Sequence, residues 1–188
     1  TLGMLEVARG LAYLVTDSQT VYIGAKVQTF ALPWGGSGVS ASILLALTLV
    51  VAFEFLLRST VFGRQIVAVG SNESAAEVSG IDPRRVRCTL LVISGLLAGL
   101  GGLMNAAYLG SADPNAGVGL ELSAIAAAVI GGTSLMGGRG SVIGAFVGVL
   151  IVSVLQIGLA QIGITEPTKR VITGAVIILA VILDRWRT

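Results

Sequence analysis

The 188-residue chain is 54% hydrophobic and 12% charged, with a formal net charge of +2, no histidine and one cysteine, Cys88. Soluble domains carry about 25% charged residues, so this composition and its recurring apolar runs point to a polytopic membrane protein. A lone cysteine without histidine supports neither a disulfide framework nor a Cys/His metal site, and no basic stripe interleaved with aromatics marks a nucleic-acid surface.

A spanning helix needs about 20 mostly apolar residues. Leu2–Val15, carrying Glu6 and Arg9, is expected to be the end of a truncated span, because the chain opens on Thr1 with no charged segment before the apolar run; the sequence reads as the C-terminal part of a longer chain. Val39–Leu57 is a second span, with Glu54 about one turn from its end. Cys88–Leu109 is a third, free of charge. Leu122–Met136 is short and Gly-rich and is read as a fourth, and Ser141–Ile164 is long and uncharged. Val171–Leu183 reaches a spanning length when extended back to Pro167, a good first-turn residue. The expected fold is all-α: one transmembrane helical bundle over residues 1–188 with about six spans.

Lys and Arg favour the cytoplasmic side. Arg58–Arg87 carries five arginines, Thr16–Gly38 only Lys26, and Gly110–Glu121 none. The first is expected inside and the other two outside. Onward counting puts Arg139 and Arg185–Arg187 inside, with Lys169 and Arg170 at an outer helix end where they can snorkel. A re-entrant Leu122–Met136 would put the basic C-terminus outside, which favours a span. Gly95 and Gly99, and Gly140, Gly144 and Gly148, repeat at four-residue intervals. In lipid such small faces let helix backbones approach.

The stretch GRQIVAVGSNESAAEVSGIDPRRVRC, Gly63 to Cys88, interrupts the apolar pattern. Within it Asn72 is a good N-cap, Ser74 and Glu77 stand at capping-box spacing, and Gly80 suits the residue after a helix. Asp82-Pro83 then breaks the chain. A helix of about two turns is too short to persist alone in water. Ala75, Ala76, Val78 and Ile81 therefore need a surface, either the protein's own or a partner's.

This stretch resembles the cytoplasmic loop of the permease subunits of bacterial ABC importers of the sugar, ribose-permease-like family. The resemblance continues through ISGLLAGLGGLMNAAYLGSADPNAGVGLELSAIAAAVIGGTSLMGGRGSVIGAFVG and VIILAVILDRWR, covering Gly63 to Arg187 closely and the start more loosely. It implies a multi-pass subunit of the bacterial inner membrane, with Arg58–Arg87 and the C-terminus cytoplasmic. It also implies a second permease subunit, a periplasmic sugar-binding protein and a cytoplasmic ATPase. Carried over, the short helix is a coupling helix that enters a groove of the ATPase: Asn72, Glu73, Ala75, Ala76, Val78 and Ser79, closed by Gly80 and followed by Arg84. The permease itself would be a transport subunit with no catalytic residue and no cofactor.

Three further groups of residues leave alternatives open. GGTSLMGGRGS, Gly131 to Ser141, lacks the Gly-Lys-Ser/Thr ending of a phosphate loop and suits a tight cytoplasmic turn. GSADPNAGVGLEL, Gly110 to Leu122, is either a capped turn at Asp113-Pro114 or part of the docking surface and pathway mouth. Many relatives carry Glu-Leu-Asp where this chain has Glu121, Leu122 and Ser123. Sugar hydroxyls need hydrogen-bond partners, and Asn105, Glu121, Thr133, Ser134 and Gln156 are the pathway candidates, beside Ser94, Ser153 and Gln161. Intramembrane Ser and Thr also simply bond neighbouring backbone. Glu54 can pair with Arg58 at i,i+4 or serve proton coupling.

The competing functions are an ABC permease for branched-chain amino acids or nucleosides, an ion-coupled carrier and a membrane enzyme. The Arg84–Arg87 region and the GGTSLMGGRGS form favour the sugar branch. A carrier would show mid-membrane Asp, Glu or His, which the best-buried spans lack. No nucleophile–base pair, paired carboxylates or ligand cluster supports an enzyme.

Overall fold

A computed structural model describes residues 2–24, 28, 40–165, 168, 169, 171–176 and 178. Lys26, Pro167, Arg170, Arg185 and Arg187, and the end of the expected Val171–Leu183 span, lie outside the described residues; residues 171–176 are helical. The fold is predominantly helical. Its residues group into two compact units, Thr1–Leu47 with Leu90–Val118 and Thr48–Thr89 with Gly119–Thr188.

The first unit opens with α1, Leu2–Val15, where Glu6 and Arg9 pair at 3.6 Å one turn apart. Strand β1, Val21–Tyr22, pairs antiparallel with β2, Ser111–Ala112, setting Val21 opposite Ala112 and Tyr22 opposite Ser111. The Ile23 N–H adds a bond to the Gly110 carbonyl at 2.9 Å. An all-α reading misses this pairing, since two residues per strand carry no period. Helix α2, Ala41–Ser59, starts in this unit, and α5, Pro83–Leu109, runs through it. Ser42 Oγ lies 3.4 Å from Met104 Sδ and joins the two.

The second unit holds α3, Val61–Ser71, α4, Glu73–Val78, α6, Leu120–Ile130, and α7, Val142–Gln161. Helices α6 and α7 pack closely, around buried Ala126, Ala127 and Val152 with Ile130 against them. The seam exists because it has no side chains to separate the backbones. A Cβ on Gly144 would collide with the carbonyl oxygen of Gly131, and one on Gly148 with that of Ala127. A Cβ on Gly140 would press on Thr133 instead. Gly95 and Gly99 have no neighbour within 4 Å of a built Cβ among the described residues.

Helices α2, α5 and α7 are long and apolar enough to cross a membrane. At 1.5 Å per residue, α5 is about 40 Å long and α7 about 30 Å. The expected span over Leu122–Met136 is corrected to the 11 residues of α6, about 16 Å, half a hydrocarbon core. Gly131 and Gly132 end it. The Gly132 N–H donates to the Val129 carbonyl and the Thr133 N–H to that of Ala128, both at 2.9 Å, with Gly132 at φ +85°. That is a Schellman closure, which needs a left-handed residue.

Candidate functional site

The polar stretch between α2 and α5 folds as two short helices stacked on each other. Helix α2 stops at Ser59, and Thr60 restarts the chain: its hydroxyl accepts from the Gly63 N–H at 3.1 Å. At Gly63 a Cβ would strike the carbonyls of Leu56 and Leu57, so glycine lets α3 fold back on the last turn of α2. Asn72 ends α3 and begins α4, its Oδ1 accepting from the Ala75 N–H at 3.0 Å. Asn72 is the cap, as expected; Ser74, placed inside the helix, is not.

The far end of α4 closes as firmly. The Gly80 N–H donates to the Glu77 carbonyl and the Ile81 N–H to that of Ala76, both at 3.0 Å, with Gly80 at φ +83°. Asp82 then caps α5: its Oδ1 accepts from the N–H groups of Arg84 at 3.0 Å and Arg85 at 3.3 Å, and Pro83 takes the first helical position. An ion pair between Arg87 and Glu73 ties α5 back to α4.

The face of α4 is now defined. Ala76 is 4% exposed, whereas Val78 is 90% exposed. Asn72, Glu73, Ala75, Glu77, Ser79 and Gly80 are exposed, as is Arg84. Ala76 must therefore be moved from the expected outer contacts to the inner seam. Six residues show too little period for the sequence to reveal which side faces inward.

The loop 131–141 rests against α3. A Cβ on Gly70 would meet the Gly138 nitrogen at 2.8 Å, and one on Gly137 would strike the Gly70 carbonyl. Gly137 and Gly138 both take positive φ, +92° and +74°. The Ser134 N–H donates to the Arg139 carbonyl at 3.0 Å, and the Ser134 hydroxyl accepts from the Met136 N–H at 3.2 Å. Thr133 lies against Gly140. Both residues, expected along a pathway, build this turn.

Beyond the loop, Ser141 caps α7 through its hydroxyl and the Gly144 N–H, 3.2 Å apart. The next element was not foreseen. Glu54, 7% exposed, reaches this helix end from α2. Its Oε2 accepts from the N–H groups of Val142 at 2.7 Å and Ile143 at 3.1 Å, and the Ser141 hydroxyl lies 3.3 Å from both carboxylate oxygens. Arg58 donates to Oε1, the i,i+4 pair expected from the sequence. The first helical N–H groups lack partners within their own helix, and a carboxylate suits the positive end of the helix dipole. The signal available was a carboxylate inside an apolar run, which needs donors; its partners, nearly ninety positions on, were not readable.

The remaining candidates are scattered. Asn105 is exposed on α5. Glu121 lies in the first turn of α6, and Gln156 on α7 approaches the Ser123 hydroxyl of α6 at 3.5 Å. In the first unit, Asp113 Oδ1 accepts from the Asn115 N–H at 2.8 Å, and the Tyr13 hydroxyl donates to Asn115 Oδ1 at 2.6 Å. The capped turn expected at Asp113-Pro114 is present. Among the described residues no group of three His, Cys, Asp or Glu side chains could hold a metal.

A family model described as "branched-chain amino acid transport system / permease component" matches residues 1–181. The chain belongs to this family. The permease is 41% identical over 98% of its length to a probable ABC transporter permease protein, YphD, of Escherichia coli K12. It is 39% identical over its whole length to the L-arabinose ABC transporter permease protein AraH of Azospirillum brasilense, and 42% to the ribose import permease protein RbsC of Bacillus subtilis. It spans 55% of the first two and 59% of the third, little more than half of each. No solved structure is significantly similar to it. The resemblance to sugar-type ABC permeases thus extends across the chain.

Proposed function

We propose that the permease is the membrane-spanning subunit of an ATP-driven importer of a monosaccharide, and that α4 is the surface on which a cytoplasmic ATPase subunit pulls. The observation that carries the reading is the build of α4. It is a two-turn helix capped at both ends, tied by Glu73 to Arg87, and anchored by Ala76 while Val78 stands 90% exposed. Such a helix has no stability of its own, and its scaffold holds it ready for a partner. The docking face is Glu73, Ala75, Val78 and Ser79, with Arg84 beside it.

Relatives named for arabinose and ribose support a sugar as cargo. A periplasmic sugar-binding protein and a second permease subunit complete the proposed assembly in the bacterial inner membrane. Residues 58–87 and the C-terminus are assigned to the cytoplasm. About six spans is the proposed count, three of them the long apolar helices α2, α5 and α7. Asn105, Glu121 and Gln156 remain the proposed pathway contacts.

In the full-length permease, Val78→Asp and Glu73→Arg should abolish retention of the ATPase on pull-down and sugar uptake, while membrane insertion persists. Normal retention in both variants would remove α4 from the coupling role. The family description names branched-chain amino acids, which keeps a second cargo in view. Cells expressing the complete importer should accumulate D-ribose or L-arabinose; uptake of L-leucine instead would move the permease to that branch.

A further inference from the structure

Among the described residues Glu54 is the one charged side chain that is buried, and it stands on a helix whose other faces are largely exposed. An ion pair with Arg58 alone would be satisfied at the surface, without burial. What the burial accomplishes is attachment. Glu54 takes the Val142 and Ile143 N–H groups, and Ser141 takes that of Gly144. The first three N–H groups of α7 are thereby all engaged, two of them by a different helix.

A second attachment lies on the other side of the same loop, where Gly137 and Gly138 interlock with Gly70 and Ser71 at the end of α3. Helix α3 continues directly into α4 through Asn72. The α3–α4 pair and the start of α7 are therefore linked twice, once through the loop and once through Glu54 of α2. One link would leave a swivel. The loop link alone would also be soft, because five of the eleven residues from 131 to 141 are glycine.

We propose that Glu54 is a positioning residue for coupling: its carboxylate pins the start of α7, so that a displacement of α4 moves the α6–α7 pair instead of being absorbed in the glycine-rich loop. The close seams of Gly144 on Gly131 and Gly148 on Ala127 carry that motion on to α6. The inference rests on α4 being the ATPase-docking helix.

The test uses the full-length permease assembled with its ATPase in nanodiscs. Cys88 is replaced by serine, and an environment-sensitive fluorophore is attached at Val154→Cys, an exposed position on α7. Trapping with Mg-ATP and vanadate should shift the fluorescence. Glu54→Ala should retain the ATPase and hydrolyse ATP at the parental rate, while the shift falls about fivefold, the scale of a coupling energy near 1 kcal/mol. Glu54→Gln keeps an acceptor oxygen but loses charge-assisted bonds and should lose about half the shift. It decides the question should Glu54→Ala fail to assemble. A parental shift in Glu54→Gln or in an assembled Glu54→Ala overturns the role, as does a fall in hydrolysis that merely parallels the fall in shift. Val78→Asp separates this failure from the other: if that variant keeps both ATPase retention and the shift, the docking assignment itself is lost.

Discussion

Two glycine pairs with the same spacing meet opposite surroundings. On α7, Gly144 and Gly148 press against the backbone of Gly131 and Ala127, where no Cβ fits. On α5, Gly95 and Gly99 have nothing within 4 Å of a built Cβ among the described residues. A small-residue face permits close approach, but the approach also needs a partner helix with the right pitch and depth. On α6 that partner is itself small, with Ala126, Ala127 and Gly131 in register. Spacing identifies a face that could be covered; only the fold identifies the face that is.

The contrast can be broken most directly at Gly148. Leucine there should destabilise the α6–α7 pair by about 3 kcal/mol, the upper range for forcing volume into a packed seam, read as a lower melting temperature of the detergent-solubilised full-length permease. Gly70→Val is next: a branched side chain against Gly138 should cost about 1–2 kcal/mol and loosen the loop, seen as faster amide exchange at residues 133–140. Asn72→Ala removes an exposed cap and should cost about 1 kcal/mol, with faster exchange confined to α4. Smallest is the α5 pair. Gly95→Leu and Gly99→Leu should change the melting temperature by the equivalent of no more than about 0.5 kcal/mol. A loss as large as that of Gly148→Leu would erase the distinction between the two faces.

Short-range features were readable because their causes lie a few residues apart. Asn72, Gly80 and Asp82 declare caps and a stop, and all three act where the spacing placed them. The C-terminal ends of α1 and α5 and the Arg58–Glu54 pair belong to the same class. The misreadings share another cause. The expected span Leu122–Met136 ran through Gly131-Gly132, but two glycines in succession allow a left-handed residue, and the helix ends there. Ala76 and Val78 could not be sorted because two turns of helix leave the inward side to be chosen by distant elements. The grip of Glu54 on Val142 joins positions 88 apart, and no local pattern encodes it.

The double closure of α4 has a consequence for evolution as well as for motion. Because Asn72, Gly80 and the Glu73–Arg87 tie hold its shape, a partner meets a finished template and pays little ordering entropy on arrival. Ala75, Val78 and Ser79 are exposed, and none of their side chains takes part in the Asn72 cap or the Glu73–Arg87 tie. Such positions can be re-lettered to suit a new motor while the frame stays as it is, much as the teeth of a key are recut on an unchanged blank.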